Sequence, residues 1–157
     1  TPYAKINIHV GAHYNNKAMA LENFCKNFER LSPAVQSRLT VENDDKASLY
    51  STKELHDEVF KRIGIPVVHD VHHHKFCTGG IDDEEAMLTA AMTWGDVKPV
   101  IHYSQSRAIE HNNVRIRANA HSDSYWEPVY THGLDVDVML ECKHKEIGLF
   151  KMRELLG

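Results

Sequence analysis

"GIPVVHDVHHH", residues 64–74, joins a helix stop, a short apolar strand and four histidines within eleven positions. Gly64 and Pro66 end the element before it, since glycine takes the left-handed cap and proline cannot continue a helix. "IPVVHDV" then reads as a strand that ends in Asp70. Charged histidine is costly to desolvate, and a chain has no packing reason to set so many beside an apolar run. The segment is therefore either a metal site or a patch of solvated surface, and the elements on each side of it bear on the choice.

Upstream, Ser51 and Glu54 form a capping box, and Leu55, Val59 and Ile63 make the apolar stripe of a helix ending at Gly64. Before it lie a strand in "KINIHVG" (5–11), a helix in "NNKAMALENFCKNFERL" behind an asparagine cap, and a strand in "SRLTVENDD" (37–45). Downstream, "IDDEEAMLTAAMTWG" is a helix with acidic residues in its first turn, where they suit the dipole. "KPVIHYS" (98–104) and "DVDVMLE" (135–141) are strands, and "EIGLFKMRELL" (146–156) is the last helix. Residues 105–133 read as irregular. Alternating strands and helices over 157 residues mean parallel βα units in a chain long enough for one domain with a real core.

The composition narrows the function. A net charge of −4 with neutral histidines argues against a simple electrostatic DNA binder. Twelve histidines are several times ordinary usage. The three cysteines, Cys25, Cys77 and Cys142, are scattered without a CxxC, which suggests reduced thiols in a cytoplasmic protein. No apolar run reaches membrane length. All five strands end in a potential metal ligand: His9, Glu42, Asp70, His102 and Glu141. In a (β/α)₈ barrel those ends converge on one face, where the active site is built. Imidazole with carboxylate suits manganese, iron or zinc, and more than four ligands point to two or three ions. Such clusters activate water and hold the leaving oxygen in phosphodiester hydrolysis.

"HVG" (9–11), "RLTVENDD" (38–45), "GIPVVHDVHHH" (64–74), "HYS" (102–104) and "MLECKHKE" (139–146), in this order, resemble the UV damage endonuclease family over nearly the whole chain. The resemblance implies a metal-dependent TIM barrel, related in fold to endonuclease IV, that nicks DNA immediately 5′ to a damaged nucleotide. Carried over residue by residue, it implies a metal cluster held by His9, Glu42, Asp70, His73, His102, His121 and Glu141. Glu42, Asp70, His73, His102 and Glu141 form its catalytic part. Two or three divalent ions are expected, manganese first, with zinc or magnesium as alternatives. Damaged double-stranded DNA is the expected partner, and the expected setting is the cytoplasm, with the nucleoid or nucleus according to the source. Lys17, Arg107, Arg115, Arg117, Lys143 and Lys145 are the cations placed to touch its backbone. His69, one residue before Asp70, faces the helices as a packing histidine, because strand neighbours alternate faces. His72 and His74 read as outer or surface groups, and His13, His56, His111, His132 and His144 as solvated. Tyr103 and Trp126 are candidates for base stacking, although aromatics are more often core.

Two departures stand out. Family members commonly carry a lysine two residues before the histidine of "HYS", modified to a metal-bridging carbamate; this chain has Val100 there. The family also has eight βα strands, against five here. The expectation is one partial TIM-barrel domain over 1–157, lacking the N-terminal strands with two further histidine ligands and the residues that wedge into DNA. It is a fragment, a split protein completed by a second chain, or a self-associating half-barrel. Two other functions compete: a different metal-dependent barrel such as a sugar isomerase, and a non-catalytic half-barrel that binds metal or DNA.

Overall fold

The structure, a computed structural model, describes residues 3–157. Among these residues, strands β1 (Ile6–Ile8), β2 (Leu39–Glu42), β3 (Val67–Asp70), β4 (Val100–Tyr103) and β5 (Asp137–Leu140) form one sheet. They lie in sequence order and every pairing is parallel. This is an α/β fold of the TIM-barrel type, left as an open arc of five strands.

Each strand turns one set of side chains to the helices and the other to the barrel interior, as the two-residue repeat demands. Leu39, Val41, Val67, Ile101 and Tyr103 are buried on the outer side in two apolar clusters. The first cluster packs β2 and β3 against α1 (Lys17–Glu29) through Leu21, Cys25 and Phe28. It also takes Leu55 and Val59 from the helix that follows. That helix starts as α3 (Thr52–Leu55), widens into a π-helical turn at His56–Phe60 and closes as α4 (Lys61–Ile63). Its capping box forms as expected, with Glu54 N–H donating to Ser51 Oγ at 3.2 Å and Ser51 N–H to Glu54 Oε2 at 2.9 Å. Gly64 then takes φ 68, a conformation costly to any residue with a Cβ. The second cluster joins β4 to Tyr125, Cys142 and Met152.

The remaining helices are α2 (Pro33–Gln36), α5 (Val71–His74), α6 (Asp83–Ala91), α7 (Arg107–Glu110) and α8 (Glu146–Leu156). Three sequence expectations need correction. The strands are shorter than their apolar runs. Val71 opens α5 rather than extending β3, because the Asp70 side chain accepts the His73 N–H at 2.8 Å and caps a helix there. The 105–133 segment contains α7 and an antiparallel bridge between Ser106 and His121.

Gly148 on α8 is where the close approach of helix and strand end depends on a missing side chain. A Cβ there would lie 2.1 Å from Cys142 Sγ and 3.3 Å from Tyr125 Cε2. Gly148→Ala is expected to destabilise the fold by ~1–3 kcal/mol through overpacking, read as a lower melting temperature, and unchanged melting would remove the claim.

Candidate metal centre

The five expected ligands share one side of the sheet for a reason visible in the pairing. Asn7, Thr40, Val68, Val100 and Met139 line a cavity of about 230 Å³ inside the arc. His9, Glu42, Asp70, His102 and Glu141 each lie two residues further along, so the strand repeat turns them to the same side, one layer higher. The layer below is mixed polar and apolar; the layer above is all imidazole and carboxylate.

Glu42 is the centre. Its Oε1 lies 3.2 Å from His73 Nδ1, and its Oε2 lies 3.2 Å from His102 Nδ1 and 3.7 Å from His9 Nε2. His102 Nδ1 is also 3.1 Å from Glu141 Oε1, and Glu141 Oε2 is 3.6 Å from His121 Nδ1. Asp70 Oδ2 lies 3.9 Å from His73 Nε2. Donor atoms of His9, Glu42 and His73, and separately of Glu42, Asp70 and His102, all fall within 4.8 Å of one another. The seven residues named from the sequence are thus one connected group around Glu42.

Whether the group suits divalent ions can be tested on its own polar atoms. Asp70 Oδ2 and His102 Nδ1 are buried without a hydrogen-bond partner among the described residues. His102 Nδ1 has carboxylate oxygens within 3.2 Å, but not in hydrogen-bonding alignment. Buried polar atoms are normally satisfied, so two converging orphans fit a cation held between them. Thiols take no part: Cys25, Cys77 and Cys142 are free and buried, and none belongs to these groups. The donor set therefore fits a divalent ion that accepts nitrogen and oxygen.

The run of histidines divides its work because Asp70 caps α5 and one helical turn points His72, His73 and His74 in different directions. His73 turns to the cluster; its Nδ1 donates to the Asn43 carbonyl at 3.0 Å, which leaves Nε2 available to face a cation. His121 is set the same way by the Glu141 carbonyl at 3.1 Å from its Nδ1. His72 packs against Phe76 and His121 with ring centroids 5.3 and 5.8 Å away. His74 faces His69 at 5.1 Å. Both are buried, so the surface position allowed for them is excluded. His69 turns to the helices, with Nδ1 2.9 Å from Thr52 Oγ1 and Nε2 3.1 Å from Asp83 Oδ1. His132, expected to be solvated, instead meets the other oxygen of Asp83 at 2.9 Å and packs on Tyr130.

Three bracing residues escaped the sequence reading. Asn43 receives the Asp70 N–H at 2.7 Å and donates to the Asp70 carbonyl at 3.1 Å, so its amide clamps the end of β3. Asp44 holds His9 Nδ1 at 3.2 Å. Asn7 donates to Glu42 Oε2 and is itself oriented by Thr40 Oγ1 at 3.0 Å. The available signal was position: Asn7 stands two residues before His9, and Asn43 directly follows Glu42.

The electrostatics are those of a cation trap. Burial would raise the Glu42 carboxyl, but His102 and His73 outweigh it and hold Glu42 well below the usual carboxylate range. Burial would lower His73 and His102, yet the facing carboxylates push them up to about 9 and about 10. Burial raises Asp70 and lowers His72 to about 4. Protons on His73 and His102 supply the positive charge that faces the carboxylates. A histidine raised in the folded state stabilises fully below its unfolded value of 6.5, and that contribution is lost as pH rises through about 9 and about 10. The metal-stripped chain is therefore expected to melt at progressively lower temperature between pH 6.5 and 10, and added divalent ion should flatten that decline. A stripped chain whose melting is level across this range would contradict the assignment.

The expected DNA-contacting cations are placed unevenly. Lys143 and Lys145 are exposed and, with His121 and Glu141, line a cavity of about 320 Å³ beside the cluster. Arg115 and Arg117 are exposed, and Arg107 Nε lies 3.2 Å from Asp123 Oδ1. Lys17 is half-buried and paired with Glu54, the Leu49 carbonyl and the Tyr50 ring, which compete with the phosphate contact expected of it. Tyr103 is buried and stacked on Tyr125 at 5.6 Å, which makes it core, whereas Trp126 is partly exposed. Val100 lines the interior cavity one layer beneath His102 and offers no ligand atom.

Comparison with known proteins gives one consistent answer. The profile of the family described as UV-endonuclease UvdE matches residues 1–157. A UV DNA damage endonuclease of Bacillus cereus (strain B4264) is 32% identical over 160 residues, covering 97% of this chain and 48% of its own. The UV DNA damage endonuclease of Bacillus pumilus (strain SAFR-032) is 33% identical over 159 residues, with the same coverage of 97% and 48%. The crystal structure of SacUVDE superposes with a TM-score of 0.80 at 31% identity, over 97% of this chain and 50% of that one. The chain spans about half the length of the curated relatives it matches.

Proposed function

The chain belongs to the UV-endonuclease UvdE family, and from that premise we propose that it carries the metal-binding part of an enzyme that hydrolyses the DNA phosphodiester 5′ to a lesion. The observation that carries this reading is the gathering of seven imidazole and carboxylate side chains, Glu42 at their centre, at the carboxyl ends of the strands. Residues 1–157 act in this reading as one partial-barrel domain.

His9, Glu42, Asp70, His73, His102, His121 and Glu141 would hold two or three divalent ions, manganese first, with zinc or magnesium as alternatives. Such ions, when bound, generate a nucleophilic water at neutral pH and stabilise the leaving oxygen. The protein's own part is to position. Glu42 joins the ligands of neighbouring strands, and Asn7 fixes the plane of its carboxylate. The Asn43 and Glu141 carbonyls hold His73 and His121 with Nε2 free. Lys143 and Lys145 would seat a backbone phosphate beside Glu141, and Arg107, Arg115 and Arg117 would extend that contact along the strand. Damaged duplex is cheaper to bend and unstack than intact DNA, which supplies selectivity without reading a sequence.

A second reading is favoured by the two open edges. Ile6 on β1 and Met139 on β5 are 53% and 52% exposed, which a closed barrel would prevent. In this reading the chain works as one half of an assembly, with a second chain or a second copy.

The test is nicking of UV-irradiated and undamaged duplex by the purified chain with manganese. Cutting confined to the irradiated duplex, one bond 5′ to the lesion, is expected, together with its loss in chelator. Equal cutting of both duplexes, or metal retention without any cutting, would overturn the endonuclease reading for this chain.

A further inference from the structure

On the helix side of β2, β3 and β4 the strands present Leu39, Val41, Val67, Ile101 and Tyr103, and His69 breaks this apolar set. An imidazole with no exposed surface is a costly choice there unless both nitrogens are paired. Here both are paired. Nδ1 lies 2.9 Å from Thr52 Oγ1 on α3, and Nε2 lies 3.1 Å from Asp83 Oδ1 at the start of α6. Thr52 is itself fully buried. The second Asp83 oxygen meets His132 Nε2 at 2.9 Å, from the loop before β5, where His132 holds φ 51. A left-handed residue with a side chain persists only where its surroundings fix it. Burial would raise the Asp83 carboxyl, but His69 and His132 outweigh it and hold it at about 2. Asp83 is thus a charged anchor with one imidazole on each oxygen.

His69 directly precedes Asp70, which pairs in register with His102 across β3 and β4. The two residues share a rigid peptide unit, so a ring locked from two helices also fixes the main chain from which the Asp70 carboxylate projects. That carboxylate has two tasks. Its Oδ1 accepts the His73 N–H at 2.8 Å, and its Oδ2 lies in the cluster, 3.9 Å from His73 Nε2. A ligand set works only when each donor is held to within ~0.5 Å. A buried polar network with every member satisfied supplies such rigidity. We propose that Asp83, on the helix side of β3, is a positioning residue of the metal centre that acts through His69 to set the orientation of Asp70. The proposal rests on the metal-centre reading above. His132 shares the anchor but adjoins no candidate ligand in the chain, so its contact holds the loop.

The test titrates the purified chain with cobalt(II), a divalent ion that accepts nitrogen and oxygen and reports its ligand geometry as visible absorption. Wild type should bind it. Asp83→Ala should bind about tenfold more weakly, the lower end of what partners of metal ligands contribute, and with a shifted spectrum. Thr52→Val, which keeps the shape and frees the other His69 nitrogen, should weaken and shift binding in the same way from a different helix. Asp83→Asn, which keeps an oxygen for His69 Nε2, should restore most of the affinity and the wild-type spectrum. His132→Ala should lower the melting temperature and leave affinity and spectrum unchanged. If wild type takes up no cobalt, the metal-centre reading fails and the proposal with it. If wild type binds and folded Asp83→Ala and Thr52→Val match its affinity and spectrum, the positioning role alone fails. Weakening by His132→Ala as large as by Asp83→Ala would mean a general loosening of the fold and would also overturn it. Should Asp83→Ala not fold, Thr52→Val decides by the same two readouts.

Discussion

Glu42→Gln is expected to yield a folded chain that retains no divalent ion through gel filtration. Among the described residues, Glu42 is the only side chain in contact range of His9, His73 and His102 together, and both its oxygens are engaged. The amide keeps the shape and removes the charge. Losing a residue that merely braces a ligand costs ~10–100-fold in metal affinity or activity, so losing the shared carboxylate should exceed that range in both. A second consequence is independent of catalysis. Glu42 contributes to the elevation of His73 and His102 to about 9 and about 10. Without its charge both imidazoles should titrate lower, with Glu141 still raising His102 and Asp70 still raising His73, a shift that proton NMR of the histidine ring resonances reads directly. Unchanged titration with unchanged metal content would remove Glu42 from the centre.

Asn43→Ala should produce the largest effect among residues that touch no ion. Its amide makes both hydrogen bonds to the Asp70 backbone, and its own carbonyl fixes His73. Truncation leaves the buried Asp70 N–H unpaired, at ~1–3 kcal/mol, whereas the Asp70 C=O keeps its bond as the cap of α5. At ~2–4 °C per kcal/mol for a domain of this size, the melting temperature should fall by roughly 2–12 °C. Metal affinity should fall by ~10–100-fold, because Asp70 loses its fixed orientation, while the main-chain carbonyl at position 43 still holds His73. Stability and affinity should fall together. Loss of stability with full affinity would mean that Asn43 only packs.

Much of this arrangement was legible because it rests on two local rules. The helix stop at Gly64 and Pro66 and the capping box at Ser51 and Glu54 are short-range chemistry, and they framed the strand correctly. The parity that sends Asp70 inward and His69 outward follows from the strand repeat, and it separated a cluster residue from one bonded to Thr52 and Asp83. What stayed hidden depends on partners distant in sequence. His132 reads as a loop histidine until α6 brings Asp83 to it. Lys17 looks free until Glu54 and the Tyr50 ring arrive. The burial of His72 and His74 follows from a one-turn helix that only the Asp70 cap creates, and a run of three histidines carries no periodicity from which to predict it. Asn43 was hidden differently: an asparagine beside a ligand resembles a turn residue, and only the β2–β3 pairing shows its amide spanning the two strand ends.

If the carboxyl ends of the five strands assemble a multi-ion centre within these 157 residues, the metal must be retained by the chain alone. Elemental analysis of the purified chain after manganese loading and desalting, with the mass measured in the same run by light scattering, tests it most directly. Two or more ions per chain are expected in the wild type and none in Glu42→Gln at the same mass. A wild-type chain that is folded and carries no ion would contradict it, as would a Glu42→Gln chain that retains the full complement.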